Sequence, residues 1–459
     1  MAPPQSSEID SLHSSTRPKL FVTLLIIFCI AVGVRILVWQ LYSEDVDGVM
    51  SGLTAGYKNE ARALMNGDLT LFVSGANPPS DASVMAHPPG YPIVIAIIFK
   101  LFGESDAALR LFQIVCDSLS AVFVFLIAAE LTASRKIGTT AGVLAAVSPQ
   151  LAYTTSLLLP DSLSVLPILA SVYLIARASR GSPPAYAWPV AGALLGISCW
   201  LRPNGLLLPL YFAAAIPFLM PARQRWRKAA FIVGAALLVI APIMIRNAVV
   251  FRSFVPLSLG SGVTLEEGIA DYDRDGSTGA QKTDIEVLRW EAQQSGRPDY
   301  AGSLYTPDGV VRERARTRRS VAIISERPVW FAGVIVRRAA SMLRLERVPV
   351  IDGSPLQAGR GATTGVLRFP GMVLKTVQKL FITAVMLPLA ITGLVLFAWS
   401  GRRKRELVIL LVVPVYYLTI QSALHTEYRY VIAVQYFLLV FVAVALIRIG
   451  ALVWSRVFK

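Results

Sequence analysis

Residues 20–41 read LFVTLLIIFCIAVGVRILVWQL. A membrane-crossing helix needs roughly 20 mostly apolar residues, and this run supplies them. It is too long for a signal-peptide core, and no small-x-small cleavage site follows it. We read it as an uncleaved first span preceded by a polar tail, residues 1–19. Similar runs recur at 107–130, 137–156, 160–177, 187–201, 204–220, 229–250, 377–399, 407–424 and 430–450. Arg202-Pro203-Asn204-Gly205 forms the hairpin between the two short ones, because Pro and Gly punctuate turns. The stretch 91–103 is apolar but short.

Composition agrees with a membrane chain. Only 16% of the 459 residues are charged and 54% are hydrophobic, whereas about a quarter are charged in soluble domains. This excludes an ordinary cytosolic enzyme and a disordered chain alike. The formal charge of +15 would suggest nucleic acid in a soluble protein. Here the basic residues sit in short gaps between apolar runs, as cytoplasmic loops do, so no nucleic-acid partner is expected. Arg135-Lys136, Arg177 with Arg180, Arg223 to Lys228 and Arg402 to Arg405 share a side with Arg17 and Lys19 only if 91–103 does not cross. The expected fold is therefore all-α and polytopic, with about ten transmembrane helices, 91–103 being juxtamembrane or re-entrant. Both termini are expected in the cytoplasm, and the protein in the inner (plasma) membrane.

Two long loops then face outward. Loop 42–106 is acidic, with eight Asp/Glu against three Lys/Arg. It belongs to a transmembrane module spanning 20–250. Residues 251–376 are expected to form an extracytoplasmic loop domain, and 377–459 the C-terminal helices. Cys29, Cys116 and Cys199 lie in apolar runs without metal or redox spacing, and read as small buried hydrophobes.

Polar residues in apolar sequence mark sites by default, and nearly all those singled out fall at outer span ends. Asp161 opens a span in Leu159-Pro160-Asp161-Ser162; it could equally complement the helix dipole as a cap. Arg202 lies in the outer hairpin and could instead snorkel to headgroups. Arg246 and Asn247 close a span. His425, Glu427, Arg429 and Tyr430 fill the turn before the last span, and His87 precedes the re-entrant helix. Arginines bind phosphate as charged forks. A carboxylate can act as base for a hydroxyl, and a leaving phosphate needs positive charge where charge develops. These types together suit group transfer from a lipid phosphate to a hydroxyl, with binding roles for Arg202, Arg246 and Arg429.

The pattern Tyr57-x-x-x-Ala61-Arg62-Ala63-Leu64-x-x-Gly67-Asp68, then His87-Pro88-Pro89-Gly90-Tyr91-Pro92, Leu101-Phe102-Gly103 and Pro160-Asp161, resembles the N-terminal half of the GT-C glycosyltransferases. These include the aminoarabinose transferases of lipid A and the protein O-mannosyltransferases. Glu427-x-Arg429-Tyr430 is also similar to that superfamily. The resemblance covers about 20–220 and the C-terminal turn. It implies a polyprenyl-phosphate-linked sugar donor, membrane lipids as partners, and transfer with inversion by a loop-one acid acting as base. That acid is expected just before Tyr57, where this chain has Leu53-Thr54-Ala55-Gly56. Asp45, Asp47 and Glu60 are the candidates left. Asp47 and Glu60 rank equally as base, and Asp161 is the supporting acid. Asp45-Val46-Asp47 is also a D-x-D that could hold a divalent cation, or simply be a solvated acidic loop. The aminoarabinose transferases have lysine at the position of His87; histidine would replace it if protonated, or as a metal ligand or hydrogen-bond donor.

Two motifs lie in the outer loop domain. Asp271-Tyr272-Asp273-Arg274-Asp275-Gly276 opens like a calcium loop, but position 12 is Lys282, so a plain Asp/Gly turn is expected. Arg312 to Arg319 carries five arginines, followed by Trp330 and Phe331. It reads as an interfacial helix with arginines toward headgroups and the aromatics buried, or as a solvated basic face. Rival functions are a transporter or flippase of lipid-linked sugar, a non-catalytic assembly partner, and a polymerase or ligase using a pyrophosphate donor. Transporters tend to show internal repeats and broken mid-membrane helices; no repeat is visible.

Overall fold

A computed structural model describes residues 6–68, 82–180, 184, 186–345, 350–351, 354–355, 368–399 and 404–457. The chain is built of helices. α1 (Ser6–Leu41) leads to three short helices, α2 (Ser43–Gly48), α3 (Ser51–Met65) and α4 (Gly90–Phe102). The apolar bundle continues with α5 (Asp106–Thr132), α6 (Arg135–Val147), α7 (Pro149–Ser156), α8 (Asp161–Ala178), α9 (Ala187–Leu201), α10 (Leu208–Leu219) and α11 (Ala222–Val250). A more polar set follows: α12 (Ser261–Ala270), α13 (Asp284–Ser295), α14 (Gly309–Glu326) and α15 (Pro328–Met342). The chain ends with α16 (Arg368–Leu380), α17 (Thr383–Trp399), α18 (Lys404–Ile420) and α19 (Ile432–Val457). Val350–Ile351 pairs with Ser354–Pro355 as two residues of antiparallel strand, a minor exception to an all-α chain.

Six described helices are long and apolar enough to cross a membrane: Pro18–Leu41, Asp106–Thr132, Asp161–Ala178, Ala222–Val250, Lys404–Ala423 and Tyr428–Arg456. Gly90–Phe102, Ala187–Leu201, Pro203–Leu219 and Thr383–Trp399 are apolar but shorter. The chain is thus a multi-pass membrane protein, but fewer helices than the ten expected spans have full crossing length. The expected span 137–156 is broken, because Pro149 has no N–H and drives Ser148 out of the helix. Ser148 is extended, and its hydroxyl caps the new helix at Leu151 N. α4 has 13 residues, about 20 Å of helix. That falls short of a hydrocarbon core of about 30 Å, in keeping with a juxtamembrane segment.

The core lies where α5 packs on α1, α6 and α8, α9 on α8 and α11, and α17 on α19. Small residues set the closest approach: a Cβ at Gly393 would collide with the Phe441 carbonyl of α19. One ion pair is buried entirely inside this apolar bundle. Arg35 of α1 meets Asp117 of α5 at 2.6 Å, both fully buried. Tyr436 of α19 donates its hydroxyl to the same carboxylate at 2.5 Å, and Arg35 Nη1 donates to the Ala146 carbonyl of α6 at 3.2 Å. These groups join four helices from within the apolar runs rather than at their outer ends.

The arginines of α14 are mostly internal, which corrects their reading as headgroup ligands. Glu291 of α13 holds both Arg312 and Arg316 at 2.7 Å. Arg319 pairs with Glu266 and lies 3.9 Å over the Trp290 ring. Only Arg314 and Arg318 of the five are exposed. Phe331 is buried in a cluster with Ile269 of α12 and Val334 of its own helix. The Asp271–Gly276 segment is a plain turn: the Asp273 carboxylate accepts from Thr278 N at 2.7 Å and Ser277 N at 3.2 Å.

Candidate active site

The site begins with a break in helix. Between α7 and α8, residues 157–160 leave the helical path while buried. In a membrane protein such backbone needs partners inside the protein. Neighbouring side chains supply them. Gln113 Nε2 of α5 donates to the carbonyls of Leu157 and Leu159, each at 3.0 Å. Thr54 of α3 donates to Leu158 O at 3.4 Å. Arg110 Nε donates to Ser156 O at 2.7 Å. The peptide that delivers Asp161 is thereby fastened to α5 and α3 carbonyl by carbonyl.

Asp161 then stands as the first residue of α8, and its side chain makes no cap hydrogen bond. Its two oxygens face Arg202, which donates from Nε at 2.9 Å and Nη2 at 2.7 Å. Arg202 is buried, so it does not snorkel to headgroups. Arg429 makes a second fork with Glu427, at 2.6 and 2.8 Å. Its Nη1 lies 3.8 Å from Asp161 and makes no hydrogen bond. The two guanidiniums sit 5.2 and 5.0 Å from the centroid of the same Tyr430 ring. Asn204 holds the Tyr430 carbonyl at 3.0 Å, and Tyr416 holds Asn204 O at 2.6 Å. Five of the expected residues, Asp161, Arg202, Glu427, Arg429 and Tyr430, form one network. Burial opposes ionisation of Glu427, but the Arg429 bond and charge outweigh it and keep its pKa low.

The first outer loop docks on this network through aromatic rings. Tyr57 of α3 lies 5.1 Å from His87 and 5.1 Å edge-on from Tyr91. The Tyr91 hydroxyl donates to Gln113 Oε1 at 3.0 Å. Gly90 is required here: a Cβ would strike the Trp200 carbonyl at the end of α9. Burial, then the charges of Arg202 and Arg429, hold the His87 pKa down to about 3. His87 is therefore neutral at physiological pH and does not stand in for a lysine cation.

The two loop-one acids are in contrasting states. Asp47 is tied to Arg110 at 2.6 Å. Glu60 makes no hydrogen bond or ion pair among the described residues. Burial raises its pKa to about 7, against the opposing charge of Arg246. Burial pushes the Tyr57 hydroxyl up to about 12, and the charges of Arg202, Asp161, Arg429 and Glu60 act on it more weakly. Arg246 is buried, with Nε and Nη2 on Asn247 Oδ1 at 2.9 and 2.7 Å. The Asp45 side chain lies outside the described ones. Asp47 is exposed, with one carboxylate oxygen on Arg110. Among the described residues no group of three His, Cys, Asp or Glu gathers as a metal site.

His425 is displaced from the expected cluster. Its Nδ1 meets Asp271 at 2.9 Å and its backbone N donates to Thr264 O at 2.8 Å. It therefore fastens the turn before α19 to α12. Burial disfavours its protonation, but Asp271 more than compensates and raises its pKa. Arg110, Gln113, Asn204 and Tyr416 were not anticipated. The first two were legible as polar residues spaced three apart inside an apolar run; Asn204 and Tyr416 gave no such signal.

A family model described as dolichyl-phosphate-mannose-protein mannosyltransferase matches residues 86–246. Among solved structures, the Archaeoglobus fulgidus oligosaccharyltransferase in the apo form aligns with a TM-score of 0.54 at 13% identity, over 95% of this chain and 51% of that one. The oligosaccharyltransferase AglB from Archaeoglobus fulgidus, in complex with an inhibitory peptide and a dolichol-phosphate, aligns at 0.52 and 13%, over 95% and 50%. ArnT from Cupriavidus metallidurans bound to undecaprenyl phosphate aligns at 0.32 and 12%, over 87% and 79%. The chain spans about half the length of the oligosaccharyltransferase structures. No curated protein matches.

Proposed function

Since the chain has the GT-C fold, we propose that it is a multi-pass membrane glycosyltransferase. It moves a sugar from a polyprenyl-phosphate donor to a hydroxyl of a lipid, glycan or protein acceptor on the outer face. The observation that carries this reading is the pair of guanidiniums, Arg202 and Arg429, each held by a carboxylate fork and both set beside the Tyr430 ring. Glu60, with a pKa of about 7, suits a general base working near neutrality. It takes the proton of the acceptor hydroxyl while that oxygen attacks the anomeric carbon. The bond from that carbon to the phosphate oxygen breaks, and the lipid phosphate leaves with the electron pair, inverting the centre. Arg202 and Arg429 face the developing negative charge, and Asp161 and Glu427 hold them in place. The unbonded Nη1 of Arg429 is a donor available to a phosphate oxygen. Neutral His87 contributes as a hydrogen-bond donor. A divalent cation at Asp45 and Asp47 would first have to displace Arg110 from Asp47.

The test is release of polyprenyl phosphate from labelled lipid-linked sugar by the purified chain in liposomes, with and without an acceptor extract. We expect release that needs acceptor, lost in Glu60→Gln and Asp161→Asn and retained in Asp47→Asn. Labelled lipid crossing the bilayer without release would overturn the transferase reading in favour of a flippase.

A further inference from the structure

At the end of the bundle opposite Asp161, a cavity of about 320 Å³ opens among α1, α5, α6 and α8. Leu20, Phe125, Leu126 and Tyr173 form its walls, and Arg135 and Arg180 stand at its mouth. Arg135 is exposed and makes no hydrogen bond or ion pair among the described residues. Arg180 is held by Glu130, which also lines the cavity, at 3.4 Å, by Glu406 at 3.3 Å and by the Leu131 carbonyl at 3.3 Å. Lys136, Arg177, Lys404 and Arg405 adjoin these residues in sequence, so cations outnumber the two carboxylates.

We propose that this cavity binds one anionic phospholipid, its phosphate between Arg135 and Arg180 and an acyl chain along the apolar walls. Basic pockets between transmembrane helices recognise anionic headgroups in this way. The cavity straddles the boundary between polar and apolar sequence. Leu20 begins the first apolar run directly after Lys19, while Phe125 and Tyr173 lie one to two turns inside the ends of α5 and α8. A free phosphate would use only the mouth; a lipid uses both parts.

The experiment is native mass spectrometry of the full chain in detergent, titrated with phosphatidylglycerol or with phosphatidylcholine of the same acyl chains. One phosphatidylglycerol should be retained in preference. Arg135→Gln, a change at an exposed side chain, should weaken it about fivefold. Leu126→Trp should block the wall without altering charge. Equal retention of the two lipids, unchanged retention in both variants, or displacement of the lipid by equimolar inorganic phosphate would overturn the proposal.

Discussion

Two of the places where the molecule buries charge are finished differently. Inside the bundle, Arg35 and Asp117 face each other at 2.6 Å, with Tyr436 and the Ala31 and Ala146 carbonyls bonded to them, although Arg35 Nη2 makes no hydrogen bond of its own. At the Asp161 end, two guanidiniums are gripped by two carboxylates, yet one Arg429 nitrogen has no hydrogen bond and the Glu60 carboxylate has no partner. A closed pair holds helices together; an open one can bind and react. Burial and an unbonded guanidinium nitrogen are common to both; the unpaired Glu60 carboxylate is what sets the Asp161 end apart.

The comparison breaks most sharply at Glu60. Glu60→Gln should lower turnover by about 10²–10⁴-fold, the usual worth of a positioned base, with thermal stability at pH 4 unchanged. Arg202→Ala should come next, at about 10²–10³-fold in kcat, measured beside its melting temperature. Asp117→Ala should act oppositely: about 3–5 kcal/mol of stability lost through the stranded Arg35 charge, read by thermal unfolding, with turnover per folded molecule near wild type. Gln113→Leu should cost about 1–3 kcal/mol by orphaning the Leu157 and Leu159 carbonyls. An Asp117→Ala protein that stayed folded but inactive would erase the distinction between the two regions.

A pH series sharpens it. Turnover limited by Glu60 as base should rise with pH through about 7 and then level. Stability should move the other way. The folded pKa of Glu60 lies above its ordinary value of 4.5. Its contribution is therefore fully present below 4.5 and is lost as pH rises through about 7. Glu60→Gln should accordingly raise the melting temperature at pH 8 and leave it unchanged at pH 4. A rate profile flat between pH 6 and 8 would assign the base elsewhere.

Most of the architecture was legible because long apolar runs have few alternatives in lipid. The ten-span count was not: the helices at 187–201, 204–220 and 377–399 fall short of crossing length, and at 137–156 one proline outweighed nineteen neighbours that read as a span. The pairing of Asp161 with Arg202, 41 residues apart, was legible only as two polar residues at the same expected face. His425 was placed with Glu427 by adjacency, yet its partner is Asp271, 154 residues away.

The sequence by itself determined that the chain is helical and membrane-embedded, and that acids, arginines and a histidine collect at one end of its helices. Hydropathy and charge are local properties that lipid and water read residue by residue. Only the tertiary structure decided the state of each group. It paired Asp47 with Arg110, left Glu60 unpaired and half-buried, silenced His87 as a cation, and turned Arg312 and Arg316 of α14 inward. A side chain's pKa and its free bonds depend on what lies within a few ångströms, and in this chain those neighbours come from helices far apart in sequence.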